Sequence, residues 1–251
     1  MHGNAAKNAH NVVLDELLTR LPSGRVLDAP CGEGFLAGRI ADAGLDVVGV
    51  VNAAPANHRD WQFHRADLNF PLPVGDSTVD VVVSVEGIEH LERPFEFVRE
   101  CRRVIRNGGF LIMTTPNISS LRSRWRWFMS GFHYKCKYAL DEDHPSPLHH
   151  VNMLSYHKLR YMLHTNGFRI EKVTTNRIKA ISWLYLPLVP FVYLFSRLVI
   201  AKARRSEIVR SLSLDVFREM MSKPLLFGEL MIVVARKTGV AGTATDPGRA
   251  A

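Results

Sequence analysis

Residues 25–34, Arg-Val-Leu-Asp-Ala-Pro-Cys-Gly-Glu-Gly, run from a short apolar stretch into an acid and then a Gly-x-Gly turn ahead of a helical pattern. No other segment constrains the fold as much. Glycines at 32 and 34 let the backbone pass close to a ligand with no Cβ in the way, and the N-terminus of the helix that follows offers free N–H groups. Asp28, at the C-terminal end of the strand, stands where open α/β sheets hold their ligands. The loop therefore reads as a ligand cradle formed by Asp28, Ala29, Pro30, Cys31, Gly32 and Gly34.

Strand and helix patterns alternate along the chain, which predicts a mainly parallel sheet. A leading helix is expected over 11–21, strands over 25–30, 46–51, 62–67, 79–85 and 109–115, and helices over 34–43 and 94–105. The stop of the last of these is read at Arg106-Asn107-Gly108-Gly109. The link between the second and third strands is too short for a crossover helix and reads as a loop or single turn. The β-branched run Val79 to Val85 has the character of a strand buried on both faces. Later, Ser155 is expected to cap a helix closing at Asn166-Gly167, with strands over 168–174 and 229–235. Residues 237–251 read as a disordered tail.

With 47% hydrophobic residues in 251, the chain has enough apolar side chain to bury a full core. Its three cysteines, Cys31, Cys101 and Cys136, match no metal or redox spacing and read as reduced cytosolic thiols. The first residues carry no apolar core of a signal peptide. A formal charge of +8 points to an anionic partner, which leaves nucleic acid, a phosphorylated substrate and an acidic membrane surface all open.

The strand, acid and Gly-x-Gly cradle resembles motif I of the class I S-adenosylmethionine-dependent methyltransferases. In that family the acid faces the methionine end of the cofactor and the glycines pass beneath its ribose. Pro30 replaces the usual first glycine and still fixes a turn through its restricted φ. A nicotinamide fingerprint through Gly32, Gly34 and Ala37 would want an acid about 20 residues on, where Val51 and Asn52 stand. Methyltransferases also usually place an acid there, so Asn52 is the substitute ribose ligand. The resemblance further implies Asp67 at the adenine amino group, with Leu68 and Val85 beside the cofactor, and Thr114-Thr115-Pro116-Asn117 as a substrate-side loop. It implies a Rossmann-like α/β fold: a seven-stranded sheet with helices on both faces and an antiparallel last strand. One domain is expected over 1–236, with a lid insertion at 118–150 and an apolar, basic helical insertion at 176–225 before the last strand.

At the end of the fourth strand, Glu86-Gly87-Ile88-Glu89-His90 delivers two carboxylates and an imidazole to the same sheet edge. The bland reading has Glu86 closing the cofactor loop while Glu89 and His90 begin a polar helix. The sharper one is a resemblance: Glu-x-x-Glu-His is similar to the ubiquinone-biosynthesis O-methyltransferases and the small-RNA 2′-O-methyltransferases. It implies a divalent metal held by Glu86, Glu89, His90 and His150, with Mg²⁺, Mn²⁺, Fe²⁺ and Zn²⁺ all compatible with such ligands. A Lewis-acid metal lowers the cost of deprotonating an alcohol, so a vicinal diol or catechol is the expected acceptor. Without a metal, His90 or His150 becomes the general base, and the catalytic set is His90, His150 and Glu89.

Residues 180–201 are almost long enough to span a bilayer, but Pro187, Pro190 and Arg197 interrupt them. Trp183, Tyr185 and Tyr193 among aliphatics, with Arg177, Lys179, Lys202, Arg204 and Arg205 on the flanks, suit a membrane interface. A cap over the site or a dimer contact are the competing readings. Residues 118–130 set Leu121, Trp125 and Phe128 on one helical face beside Arg122 and Arg126, fitting lipid headgroups, phosphates or a plain lid. The combined expectation is a cytoplasmic, peripherally membrane-bound O-methyltransferase acting on a sugar, phenol or lipid-linked hydroxyl. An RNA 2′-O-methyltransferase and a non-catalytic cofactor-binding membrane scaffold are the alternatives. Nothing in the sequence sets the oligomeric state.

Overall fold

A computed structural model describes residues 5–52, 55, 61–136, 138–202 and 207–239. Strands β1 (Arg25–Asp28), β2 (Asp46–Val51), β3 (Gln62–Arg65), β4 (Val79–Val85), β5 (Ile105–Pro116), β6 (Phe168–Thr174) and β7 (Leu230–Lys237) form one sheet in the order β3-β2-β1-β4-β5-β7-β6. The first five run parallel, and β7 pairs antiparallel with both β5 and β6.

Side chains alternate across each strand, so each strand divides between two cores. Val81, Val83 and Val85 pack with α1 (Ala9–Arg20) and α2 (Phe35–Asp42), together with Leu230, Ile232 and Val234 of β7. Val82 faces the other way with Met231, Val233 and Ala235, under α3 (Pro94–Val104) and α5 (Tyr156–Thr165). The order reverses between β1 and β4, and such a switch point opens a crevice at the carboxyl ends of the strands. Asp28 and Val85 end β1 and β4 at that crevice.

Several boundaries differ from the sequence reading. The first and third strands end at Asp28 and Arg65, short of residues 30 and 67. Helix α3 stops at Val104, and the expected glycine stop is absorbed into β5, where the register jumps between Val79↔Ile105 and Val81↔Phe110. Gly109 is needed there because a Cβ would lie 2.3 Å from the Asp80 carbonyl oxygen. Lys237 belongs to β7, not to a tail, and its ammonium donates to the Ile105 carbonyl. Residues 240–251, and most of the link between β2 and β3, lie outside the described residues.

Helix α4 (Leu121–Ser130) follows β5, while a 3-10 helix (Ala180–Leu188), α6 (Val189–Lys202), α7 (Glu207–Met220) and α8 (Lys223–Phe227) stand between β6 and β7. Leu121, Leu226 and Phe227 form a small core with Ile178, Tyr185, Val189, Val192 and Met221, which ties the added helices to one another. A polar latch secures α7. Glu219 accepts from the Tyr156 hydroxyl and from Arg160, both on α5, each at 2.6 Å.

Candidate active site

The cradle after β1 uses left-handed backbone at Gly32 (φ 52°) and Gly34 (φ 84°), a region that glycine enters without a steric penalty. Gly34 is also required for space. A Cβ there would lie 2.6 Å from the Trp61 ring, and one at Gly49 would lie 2.5 Å from it and 2.8 Å from the Cys31 sulfur. The indole of Trp61 thus fills the hollow behind the cradle. Sequence reasoning missed it, although a tryptophan next to a predicted strand was the available signal.

Asp28 is buried and takes the Ala37 N–H at the start of α2, while Oδ2 has no partner among the described residues. Burial pushes its carboxyl up to about 8, and the same burial, with Asp28 nearby, pushes the Cys31 thiol up to about 12. Gly87 seals the crevice from the other side, since a Cβ there would lie 2.2 Å from the Pro30 ring. Leu68 and Val85, expected beside the cofactor, are buried.

Two expected cofactor ligands are less committed to a site. Asp67 is exposed, and its Oδ1 accepts from the backbone and side chain of Asn69. Asn52 is exposed, and its carbonyl accepts from Arg65. Asn117, read as part of a substrate-side loop, does structural work: its side-chain amide donates to the carbonyls of Pro224, Leu225 and Gly228 and so holds α8.

Past β4, Glu89, His90 and His150 converge, with one ligand atom from each lying within 4.8 Å of the others. Glu89 is fully buried, neither carboxylate oxygen has a hydrogen-bond partner among the described residues, and burial pushes the group up to about 8. His90 Nδ1 lies 3.1 Å from the His149 carbonyl oxygen. A carbonyl only accepts, so Nδ1 carries the proton and Nε2 is left as a free acceptor. The His150 ring meets His90 edge to face, its Nδ1 is buried without a partner, and burial holds it down to about 4. Asn152 was not singled out from sequence, yet it staples the His150 loop in place. Its N–H donates to the Glu89 carbonyl and its side chain to that of Leu91.

Glu86, expected in the same ligand set, lies apart from the three. Its backbone is left-handed (φ 46°) and its N–H donates to the Thr114 hydroxyl. The carboxylate accepts from the Ala6 N–H at 2.5 Å and sits 3.8 Å from Lys135. Both partners come from segments distant in sequence.

Residues 27–113, which carry the cradle, the strand order's reversal and the acid–histidine edge, match the family described as the methyltransferase domain. Over those residues the chain carries a methyltransferase domain, and its fold is that of class I methyltransferases. A probable S-adenosylmethionine-dependent methyltransferase of Mycolicibacterium smegmatis is 34% identical over 167 residues, covering 64% of this chain and 58% of that protein. A ubiquinone biosynthesis O-methyltransferase of Cereibacter sphaeroides is 28% identical over 138 residues, covering 47% of this chain and 56% of that protein. The chain thus spans a little over half the length of these two relatives. A solved methyltransferase from Archaeoglobus fulgidus shares the fold, with a TM-score of 0.55 at 18% identity over 91% of this chain and 95% of that one. The cradle lies within the matched methyltransferase domain.

Proposed function

We propose that the protein transfers a methyl group from S-adenosylmethionine to a hydroxyl oxygen, assisted by a divalent cation on Glu89, His90 and His150, on a lipid-linked acceptor at the cytoplasmic membrane face. The observation that carries this reading is the Glu89 carboxylate, fully buried with two unpartnered oxygens opposite two neutral imidazoles. A buried carboxylate without a partner is costly, and a cation is the natural compensation. Three of the four expected ligands fit such an ion. Glu86 would complete the set only by leaving Ala6 and Lys135.

The sulfonium of S-adenosylmethionine supplies an activated methyl, and a divalent cation, when bound, would ease loss of the acceptor's proton and align a diol or catechol. Asp28 would receive the cofactor's ammonium, which matches its unpartnered buried oxygen. Gly32 and Gly34 keep the backbone clear of the ribose. In the transfer the methyl carbon leaves sulfur for the acceptor oxygen; with no cation bound, the acceptor's proton passes to His90 Nε2 or the unprotonated ring of His150. Burial keeps both rings neutral at physiological pH and ready to accept it.

The lipid part of the reading rests on the segment Ala180–Lys202. It is long and apolar enough to cross a membrane, and none of its apolar window is buried inside the fold. Leu184, Phe191, Leu194 and Phe195 are 60–72% exposed, which leaves large apolar side chains in need of cover. Pro187 breaks the segment, and Lys179, Arg197 and Lys202 supply positive charge, as suits peripheral contact with an anionic interface. The name of the ubiquinone-biosynthesis relative adds support for an oxygen acceptor.

The test compares wild type with a Glu89→Ala, His90→Ala variant for bound metal, cofactor affinity and methyl transfer to a catechol, a prenylated diol and a short RNA. Metal lost with cofactor affinity kept, and transfer to the lipidic acceptor, is the expected result. A metal-free wild type that still binds cofactor sinks the metal. Preference for RNA, or binding without turnover, sinks the lipid acceptor or the enzyme.

A further inference from the structure

Glu229, the residue before β7, is buried with its side chain 4% exposed, and cations surround it. Arg177 donates from Nε at 2.5 Å, Lys179 lies at 2.7 Å and Lys135 at 3.8 Å. Lys135 is equally far from Glu86. Tyr134 stands in the middle: its hydroxyl accepts from Lys179, and Arg122 lies 4.0 Å over its ring. Four cations therefore face two carboxylates, a formal surplus of two positive charges among the described residues. Lys135, Lys179 and Arg177 are 26–32% exposed, so the surplus is partly desolvated yet open to a ligand.

The surroundings of this cluster narrow the ligand. On one side is the acid–histidine site, because Lys135 lies 3.8 Å from Glu86, which follows β4 and leads into Glu89 and His90. On the other is the apolar segment: Lys179 directly precedes its first 3-10 helix, whose Trp183 stacks on Phe227 and takes Lys223 over its ring. Arginine and lysine beside a low-dielectric surface bind phosphate oxygens well. A soluble polyanion such as RNA has no use for the adjoining exposed aliphatics, whereas a prenyl or acyl chain does.

We infer that Arg122, Lys135, Arg177 and Lys179 form a binding site for the phosphate or pyrophosphate group of a lipid-linked acceptor, placed between the methyl-transfer site and the apolar segment that receives the lipid chain. The inference rests on the hydroxyl-acceptor reading above and narrows it from phenols to phosphate-bearing lipids. The phosphate sets the distance between membrane and reacting hydroxyl. Arg122 and Lys135 are the cations that can be removed without stranding Glu229, which keeps Arg177 and Lys179.

Binding of geranylgeranyl pyrophosphate, geranylgeraniol, inorganic pyrophosphate and a short single-stranded RNA to the full-length protein in detergent tests this. The prenyl pyrophosphate is expected to bind at least about tenfold more tightly than the alcohol. An Arg122→Met, Lys135→Met variant should remove that difference while S-adenosylmethionine affinity and melting temperature hold, and Arg122→Lys with Lys135→Arg should restore it. Equal affinity for pyrophosphate and alcohol, inorganic pyrophosphate binding as tightly as the prenylated form, or tighter RNA binding would each overturn the site. Intact prenyl-pyrophosphate binding in a protein that methylates no hydroxyl would support the site and overturn the O-methyl-transfer reading instead.

Discussion

The imidazoles of His90 and His150 meet edge to face with centroids 4.8 Å apart, although one follows β4 and the other lies in the loop before α5. What holds them together is Asn152, bonded to the Glu89 and Leu91 carbonyls at 2.9 and 2.6 Å. Replacing Asn152 with alanine should leave the histidines intact but free the loop. On the metal-assisted reading proposed above, metal affinity is expected to fall about 10- to 100-fold, as for other groups that orient ligands. S-adenosylmethionine affinity should stay within about twofold, because the cradle is untouched. Metal titration by calorimetry decides, and unchanged metal affinity would show that His150 needs no staple.

Gly34 and Trp61 share one space. Gly34→Ala forces a Cβ to within 2.6 Å of the indole and adopts φ 84°, so both crowding and backbone strain oppose it. The expected cost is about 1–3 kcal/mol in stability, along with weaker cofactor binding. Adding Trp61→Leu should recover the crowding part alone, leaving the strain. Urea unfolding of the single and double variants gives the coupling; strict additivity would mean that the two residues do not compete.

Asp28 ties stability to pH. Its carboxyl is pushed up to about 8 by burial, while an unfolded aspartate titrates at about 3.9. The native state then holds a proton that the unfolded chain releases. The contribution is fully present below the unfolded value and is lost as pH rises through about 8. Relative to Asp28→Asn, wild type should therefore lose up to about 1.4 kcal/mol per pH unit across that window. Unfolding free energies measured for both proteins from about pH 5 to pH 9 would reveal the slope. A difference that does not vary with pH would mean that the acid is already ionised in the cofactor-free protein.

The Glu219 latch holds α7 through groups on α5. Glu219→Ala leaves the Tyr156 hydroxyl and the Arg160 guanidinium without their acceptor, a change worth about 1–3 kcal/mol. Most of the loss should be local. Hydrogen exchange is expected to quicken in α7 while β4 and β5 keep their protection. Uniform acceleration across the sheet would place α7 inside the global folding unit.

Much of the sheet was legible because its signals are local. The unbroken β-branched run Val79 to Val85, the Gly-x-Gly turn and the strand–helix alternation each report on a few neighbouring residues, and the structure places them within a few positions of expectation. The boundary at Val104 was not legible, since Gly108 and Gly109 look like a helix stop and only the neighbouring Asp80 carbonyl makes them part of a bulged strand. The structural part of Asn117 was not legible for the same reason, because its three acceptors lie on and just beyond α8, far along the chain.

The candidate site divides along the same line. By itself the sequence determined the cradle glycines, the acid at the end of β1, and the presence of Glu89, His90 and His150, because residue type and strand-end position suffice for these. Only the tertiary structure decided that Glu86 turns to Ala6 and Lys135, that Trp61 fills the space behind Gly34, and that four cations gather around Tyr134 and Glu229. Each of those contacts joins segments far apart in the chain. Their energies depend on burial and on distances of a few ångströms, and no local pattern of residues encodes either quantity.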